Sequence, residues 1–225
     1  MFFPTLAIAV PPSPELEKTL KEEGRWENVV KVLKQGKEID VDLPNPKPLR
    51  LPSPLTPVNQ PVIVLLADFS DNVAITPQPH YDTLLFSQGI YPTGSMTDYF
   101  LENSYGAITM TGASTTWLRM PQNYTYYTDG QYGFGSYPNN AQRLTEDALA
   151  AADPSVNFAN YDGDGDGWVD ALFVVHAGPG AEVTGDPNDI WSHAWGTSAP
   201  IWVDGVRALG YAMMPEDGRI GVFCH

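Results

Sequence analysis

At 225 residues, with 43% hydrophobic side chains and six tryptophans, the chain is long enough for one sizeable core or a core plus a small appendage, and its composition excludes disorder over most of its length. The net charge of −15 is one-sided: residues 1–57 balance eight basic against eight acidic groups, so 58–225 carry four against nineteen, and no lysine follows Lys47. That balance argues against nucleic acid or an anionic membrane as partner and favours cations, and no run approaches the roughly 20 apolar residues of a membrane span.

The opening "MFFPTLAIAV" is apolar and holds Ala-Ile-Ala, but it lacks a basic region and is too short for a complete signal peptide. Residues 1–9 read as the stump of one. Ser13, Pro14 and Glu15 then supply an N-cap, a first-turn proline and an acid suited to the helix dipole, with Gly24 placed to end the helix. Trp26, Val29, Val30 and Leu33 recur at helical spacing up to Gly36 and predict a second helix. Together, 1–43 form a small helical segment that is marginal alone and is expected to dock on something larger. Residues 44–61 contain seven prolines, which deny ladder hydrogen bonds and mark a linker.

From residue 62 the pattern is that of an α/β or α+β domain. "VIVLLADFSDN" is an apolar run ending in turn residues, as expected of a strand buried on both faces. "SMTDYFLEN" begins on a serine cap and reads as a helix, whereas "AITMTG" and "TTWLRM" read as two short strands. Asn139–Ala152 predicts a helix with Leu144, Ala148 and Ala151 facing inward, and "WVDALFVVHAG" a second buried strand. "IWVDGVRALGYAMM" predicts a hairpin turning on Asp204-Gly205.

Between these elements lies "YDGDGDGWVD". Asp162, Asp164, Asp166 and Asp170 fall at positions 1, 3, 5 and 9, Gly167 at 6, and Trp168 offers its carbonyl from 7, a spacing that wraps oxygens around a hard cation such as Ca²⁺. An EF-hand it is not, because Phe173 stands where the bidentate Glu belongs and a strand follows. The alternative is a solvated Asp/Gly turn, against which four carboxylates in nine residues repel one another unless a cation compensates them.

The histidines, His80, His176, His193 and His225, show no metal-binding pair spacing. Taken singly, His176 and His193 read as satisfied, partly buried imidazoles, although their roles stay open. Cys224 excludes an internal disulfide in being the single cysteine, and reads as a packing residue rather than a metal or redox thiol.

"VIVLLADFSDN", "GSMTDYFLENSYG", "VNFANYDGDGDGWVDALFVVHAGPGAEVTGDPNDIWSHAW" and "GYAMMPEDGRIGVFCH" together resemble the immune inhibitor A family of secreted bacterial zinc metallopeptidases. "VPPSPELEKTLKEEG" is similar to that family's propeptide. The resemblance implies a zincin-like peptidase domain over 62–225, truncated, with Zn²⁺ and Ca²⁺ as metals and protein or peptides as substrates. It implies that His225 is the first histidine of H-E-x-x-H, whose Glu and second His follow it, so that the chain as given is incomplete and inactive. It further implies that 1–43 is a propeptide holding the precursor inactive by covering the cleft, and that the protein is extracellular. The rival expectation, from the acidic loop alone, is a non-catalytic extracellular calcium-binding module.

Overall fold

The computed structural model describes residues 11–37 and 57–224. The signal-like start at 1–9, most of the proline-rich linker and His225 lie outside the described residues.

Ser13 caps α1 (Pro14–Glu22) as its sequence requires, its Oγ accepting the Leu16 amide at 3.2 Å, and Gly24 turns the chain at φ +70°. Helix α2 (Trp26–Lys37) does not stop at Gly36 but runs through it, a local cost of about 1 kcal/mol that the docked helix tolerates. Its buried stripe is also shifted: Val32, not Val30, joins Val29 in the core, with Trp26 and Leu33 packed at the margin. Leu20, Val29 and Val32 belong to the same cluster as the sheet's own side chains. Each such burial is worth about 1.5–3 kcal/mol before ordering costs.

The rest is a five-stranded mixed sheet with helices on both faces. Strand β1 (Val58–Asp68) lies second in the order β2-β1-β3-β5-β4, between β2 (Ile108–Arg119) and β3 (Leu172–His176). All pairings among β2, β1, β3 and β5 (Val206–Pro215) are parallel, and β4 (His193–Val203) closes the sheet as an antiparallel edge. The strand starts at Val58, so 58–61, expected in the linker, are ladder residues paired with β2.

The two short strands expected over 107–120 are one. Strand β2 is continuous but carries an extra residue where Val64 pairs with Ser114 and Leu66 with Trp117, and Thr115 Oγ1 accepts the Leu66 amide across that bulge at 3.1 Å. The β4–β5 hairpin turns on Asp204 and Gly205 at φ +48° and +83°, the left-handed pair that the Asp-Gly sequence favours.

Alternation along β1 sends Val62, Val64 and Leu66 to one face and Ile63, Leu65 and Ala67 to the other. Helices α3 (Pro79–Phe86) and α4 (Met96–Asn103) cover the first face through Leu84, Leu85 and Met96. The chain then forms the single turn α5 (Tyr124–Thr128) before α6 (Ala141–Ala152), which covers the second face through Leu144, Ala148 and Leu149. The amino-terminal hairpin packs on this second face beside α7 (Ala181–Thr184). Helix α8 (Ile220–Phe223), which follows β5, places Phe223 on the first.

Candidate metal centres and the approach to His225

The acidic loop hangs between a 3-10 turn at Phe158–Tyr161 and β3, and its mouth is closed by the Asp170 amide donating to the Tyr161 carbonyl at 2.8 Å. Gly165 and Gly167 take φ of +72° and +85°, which L side chains resist, so the chain can coil tightly here. Carboxylates hold that coil together. Asp162 accepts the amides of Asp166 and Gly167, both at 3.0 Å, Asp164 accepts Asp166 at 3.1 Å, and Asp166 accepts Trp168 at 3.0 Å. One oxygen from each of Asp162, Asp164 and Asp166 lies within 4.8 Å of the others, the one group of three or more metal-ligating side chains so close among the described residues.

Asp170 stands apart from that trio. Its Oδ2 accepts the Gly163 amide at 2.9 Å, and its carboxyl is pushed up from the usual range by desolvation first, with repulsion from Asp164 and Asp162 adding to it. Trp168 serves the loop in another way: its ring lies against the Arg207 guanidinium at 3.9 Å, with Trp202 on the same cation at 5.3 Å. Backbone bonds from Val169 to Arg207 and from Arg207 to Gly167, each 2.9 Å, tie the loop to the β4–β5 hairpin. An all-oxygen trio on a pre-coiled loop suits a hard divalent cation.

At the carboxyl ends of the parallel strands, Glu216 gathers three connections. Its Oε1 accepts the amides of Ile75 at 2.7 Å and Thr76 at 2.5 Å, and its Oε2 accepts Gly178 at 2.9 Å. Burial alone would raise this carboxyl; the amides of Gly178, Thr76 and Ile75 outweigh it and hold the group below its usual value. The Glu216 carbonyl accepts Tyr81 Oη at 3.0 Å, joining α3 to the same point. A second buried acid, Glu182, is raised by desolvation and bonded to the hydroxyl and amide of Ser192. Sequence reading passed over both acids, and the one available signal was a carboxylate directly after an apolar strand in "MMPED".

Two residues beyond Glu216, Gly218 makes a turn in which a Cβ would lie 2.9 Å from the Pro215 carbonyl and 3.1 Å from the Phe223 ring. The chain enters α8 there, and Phe223 locks it against the first face near Phe173. Cys224 closes the helix, half-buried, with burial pushing its thiol up to about 11. At neutral pH it is therefore a protonated packing residue. His225 follows it in the chain and lies outside the described residues.

Among the described residues, His176 and His193 are not brought into any group of three or more metal-ligating side chains. His193 is satisfied at both nitrogens, by the Trp191 carbonyl at 2.6 Å and Tyr211 Oη at 3.2 Å. His176 pairs Nδ1 with the Ala177 carbonyl at 3.0 Å and Tyr124 Oη at 3.3 Å, while its buried Nε2 meets no partner among the described residues. Both rings are fully desolvated and pushed down to about 4, hence neutral at pH 7. They are more deeply buried than the expectation of partial burial.

A mixed five-stranded sheet with helices on both faces, whose last parallel strand feeds a short helix, is consistent with a fragment of a peptidase catalytic domain. Residues 59–225 match the family described as immune inhibitor A peptidase M6, catalytic domain, and the chain belongs to that family. It is 31% identical over 214 residues to immune inhibitor A of Bacillus thuringiensis subsp. alesti, covering 73% of this chain and 31% of that protein. It is 30% identical over 182 residues to the pre-pro-metalloprotease PrtV of Vibrio cholerae serotype O1, covering 65% of this chain and 20% of that protein. The chain thus spans about a third or less of these relatives. Membership of a metallopeptidase family implies a bound metal. No helix among the described residues is long and apolar enough to cross a membrane.

Proposed function

We propose that this chain is the prosegment and amino-terminal catalytic region of a secreted, zinc-dependent endopeptidase that calcium stabilises. The observation that carries the reading is the delivery of α8 by β5 at the carboxyl end of the family's catalytic-domain match, immediately before His225 in sequence. A zinc ion held by His225 and the residues after it would polarise a scissile carbonyl and acidify a bound water. What the described residues do is fix the segment that leads to it in the chain. Glu216 fixes the end of β5, Gly218 permits the turn, and Phe223 seats the helix on the sheet. The acidic loop is read as the calcium site, with Asp162, Asp164 and Asp166 as side-chain ligands, Trp168 as a carbonyl ligand and Asp170 as a support.

The test is made in the parent protein carried past His225. Glu directly after His225 and His three residues beyond that Glu are expected. His225→Ala should remove bound zinc, read by metal analysis, and lower casein hydrolysis by at least about 10³-fold, as loss of a metal ligand does to water activation. Full activity in His225→Ala, or a stop codon after His225, overturns the peptidase reading and leaves the calcium-binding module.

A further inference from the structure

The amino-terminal hairpin and the helix that leads to His225 are on opposite sides of the sheet. Leu20, Val29 and Val32 pack in the cluster with Ile63, Leu65, Val174 and Met213, whereas Phe223 packs in the cluster with Val62, Val64, Val175 and Met214. Neighbouring residues of one strand point to opposite faces, so the two clusters are separated by the sheet itself. The hairpin's seat is specific. Arg25 Nη2 donates to the Gly185 carbonyl, and Leu16 and Leu20 close on Gly185 so tightly that a Cβ there would lie 2.9 and 3.4 Å from their methyl carbons. Gly185 sits at φ +65°, directly after α7, where only glycine is at ease.

Beside this contact the seam opens. A cavity of about 370 Å³ lies between Asn28 and Val32 on the hairpin and Gly130, Tyr132 and Pro187 on the peptidase unit. The hairpin is therefore a docked body held by an apolar anchor, not a layer merged into the sheet. Two of its anchor residues, Leu20 and Val29, are wholly buried.

We infer that residues 11–37 are a retained partner of the peptidase unit: after the chain is cut in the proline-rich strap, the hairpin stays seated on Gly185, opposite α8, instead of leaving as a plug would. Taking the segment as a prosegment, this rests on the function proposed above, but the retention itself does not depend on activity. With the hairpin and Phe223 packed in clusters on opposite faces of the sheet, the inference argues against a hairpin that covers the cleft.

The experiment uses the full chain with residues 45–51 exchanged for the recognition sequence of a site-specific protease. After complete cutting, gel filtration at micromolar concentration should return both fragments in one peak, parted only by denaturant. A separate hairpin peak in native buffer overturns the inference. Leu20→Asp should behave as folded by circular dichroism while uncut and release its hairpin once cut; if it does not fold uncut, Leu16→Glu at the rim takes its place. Co-elution of the cut variant as firmly as the parent overturns the seat assigned here. In the longer protein, unchanged peptidase activity on cutting would count against latency while co-elution would still stand for retention.

Discussion

Glu216 shows how much one side chain can organise. Three amides from two loops converge on its carboxylate, and hydrogen bonds to a charged group are worth about 1.5–3 kcal/mol each before its desolvation is subtracted. Glu216→Gln would turn an –NH₂ toward one of those donors, so a loss of about 2 kcal/mol at pH 7 is expected from urea unfolding. The pH dependence has a definite sign. Because the folded carboxyl is held below its usual value, its contribution is complete above about 4.5, the unfolded value, and is lost as pH falls through the folded one. His176 and His193 act earlier: their folded values of about 4 lie below the ordinary 6.5, so stability declines from pH 6.5 downward and levels off below 4, by about 3 kcal/mol per ring. Wild type and Glu216→Gln should therefore fall in parallel between pH 6.5 and 4.5 and converge below it. A gap that persists at pH 3 would show that the carboxylate charge is not what binds the loops.

At the scale of elements, what could be read from the sequence was what the chain encodes locally. The Ser95 cap reciprocates with Asp98 at 3.0 and 2.9 Å, and the Asp204-Gly205 turn needs only its own two residues. The acidic loop was legible for the same reason, since its bonds span two to seven residues. Glu216 was not legible, because its partners at Ile75 and Thr76 are 141 and 140 residues away. Strand β2 was split in two because Gly112 reads as a strand end. In the sheet it is instead a point of close approach, where a Cβ would sit 2.0 Å from the Val62 carbonyl and 2.9 Å from the Phe86 ring. Gly112→Ala should force β1 and β2 apart and cost about 1–3 kcal/mol or more, the range for overpacking a filled site. A denaturation midpoint within error of wild type would mean that the ladder yields at no cost.

For the whole molecule the governing quantity is charge. Four basic side chains face nineteen acidic ones over residues 58–225, and four of the acids fall within 162–170, three of them with oxygens within 4.8 Å of one another. General repulsion of this kind is screened by any salt, with a Debye length of about 10 Å at 0.1 M, whereas a cation coordinated by the loop acts only at its site. The loop also connects to the rest of the fold: Trp168 and Trp202 enclose Arg207, and the β4–β5 hairpin that carries Arg207 forms the antiparallel edge of the sheet. Filling the loop should therefore stabilise more than the loop. Ca²⁺ at 100 times its dissociation constant should add about 2.7 kcal/mol to unfolding and raise the melting temperature, with a change in tryptophan emission from Trp168. Sodium chloride at matched ionic strength should give only the smaller, non-specific part of that rise. Asp164→Ala, which removes one of the proposed oxygen ligands and the 3.1 Å bond to the Asp166 amide, should abolish the calcium increment and leave the sodium response intact. Equal melting curves for wild type in calcium and in chelator at matched ionic strength would reduce the loop to a solvated turn and the stabilisation to screening.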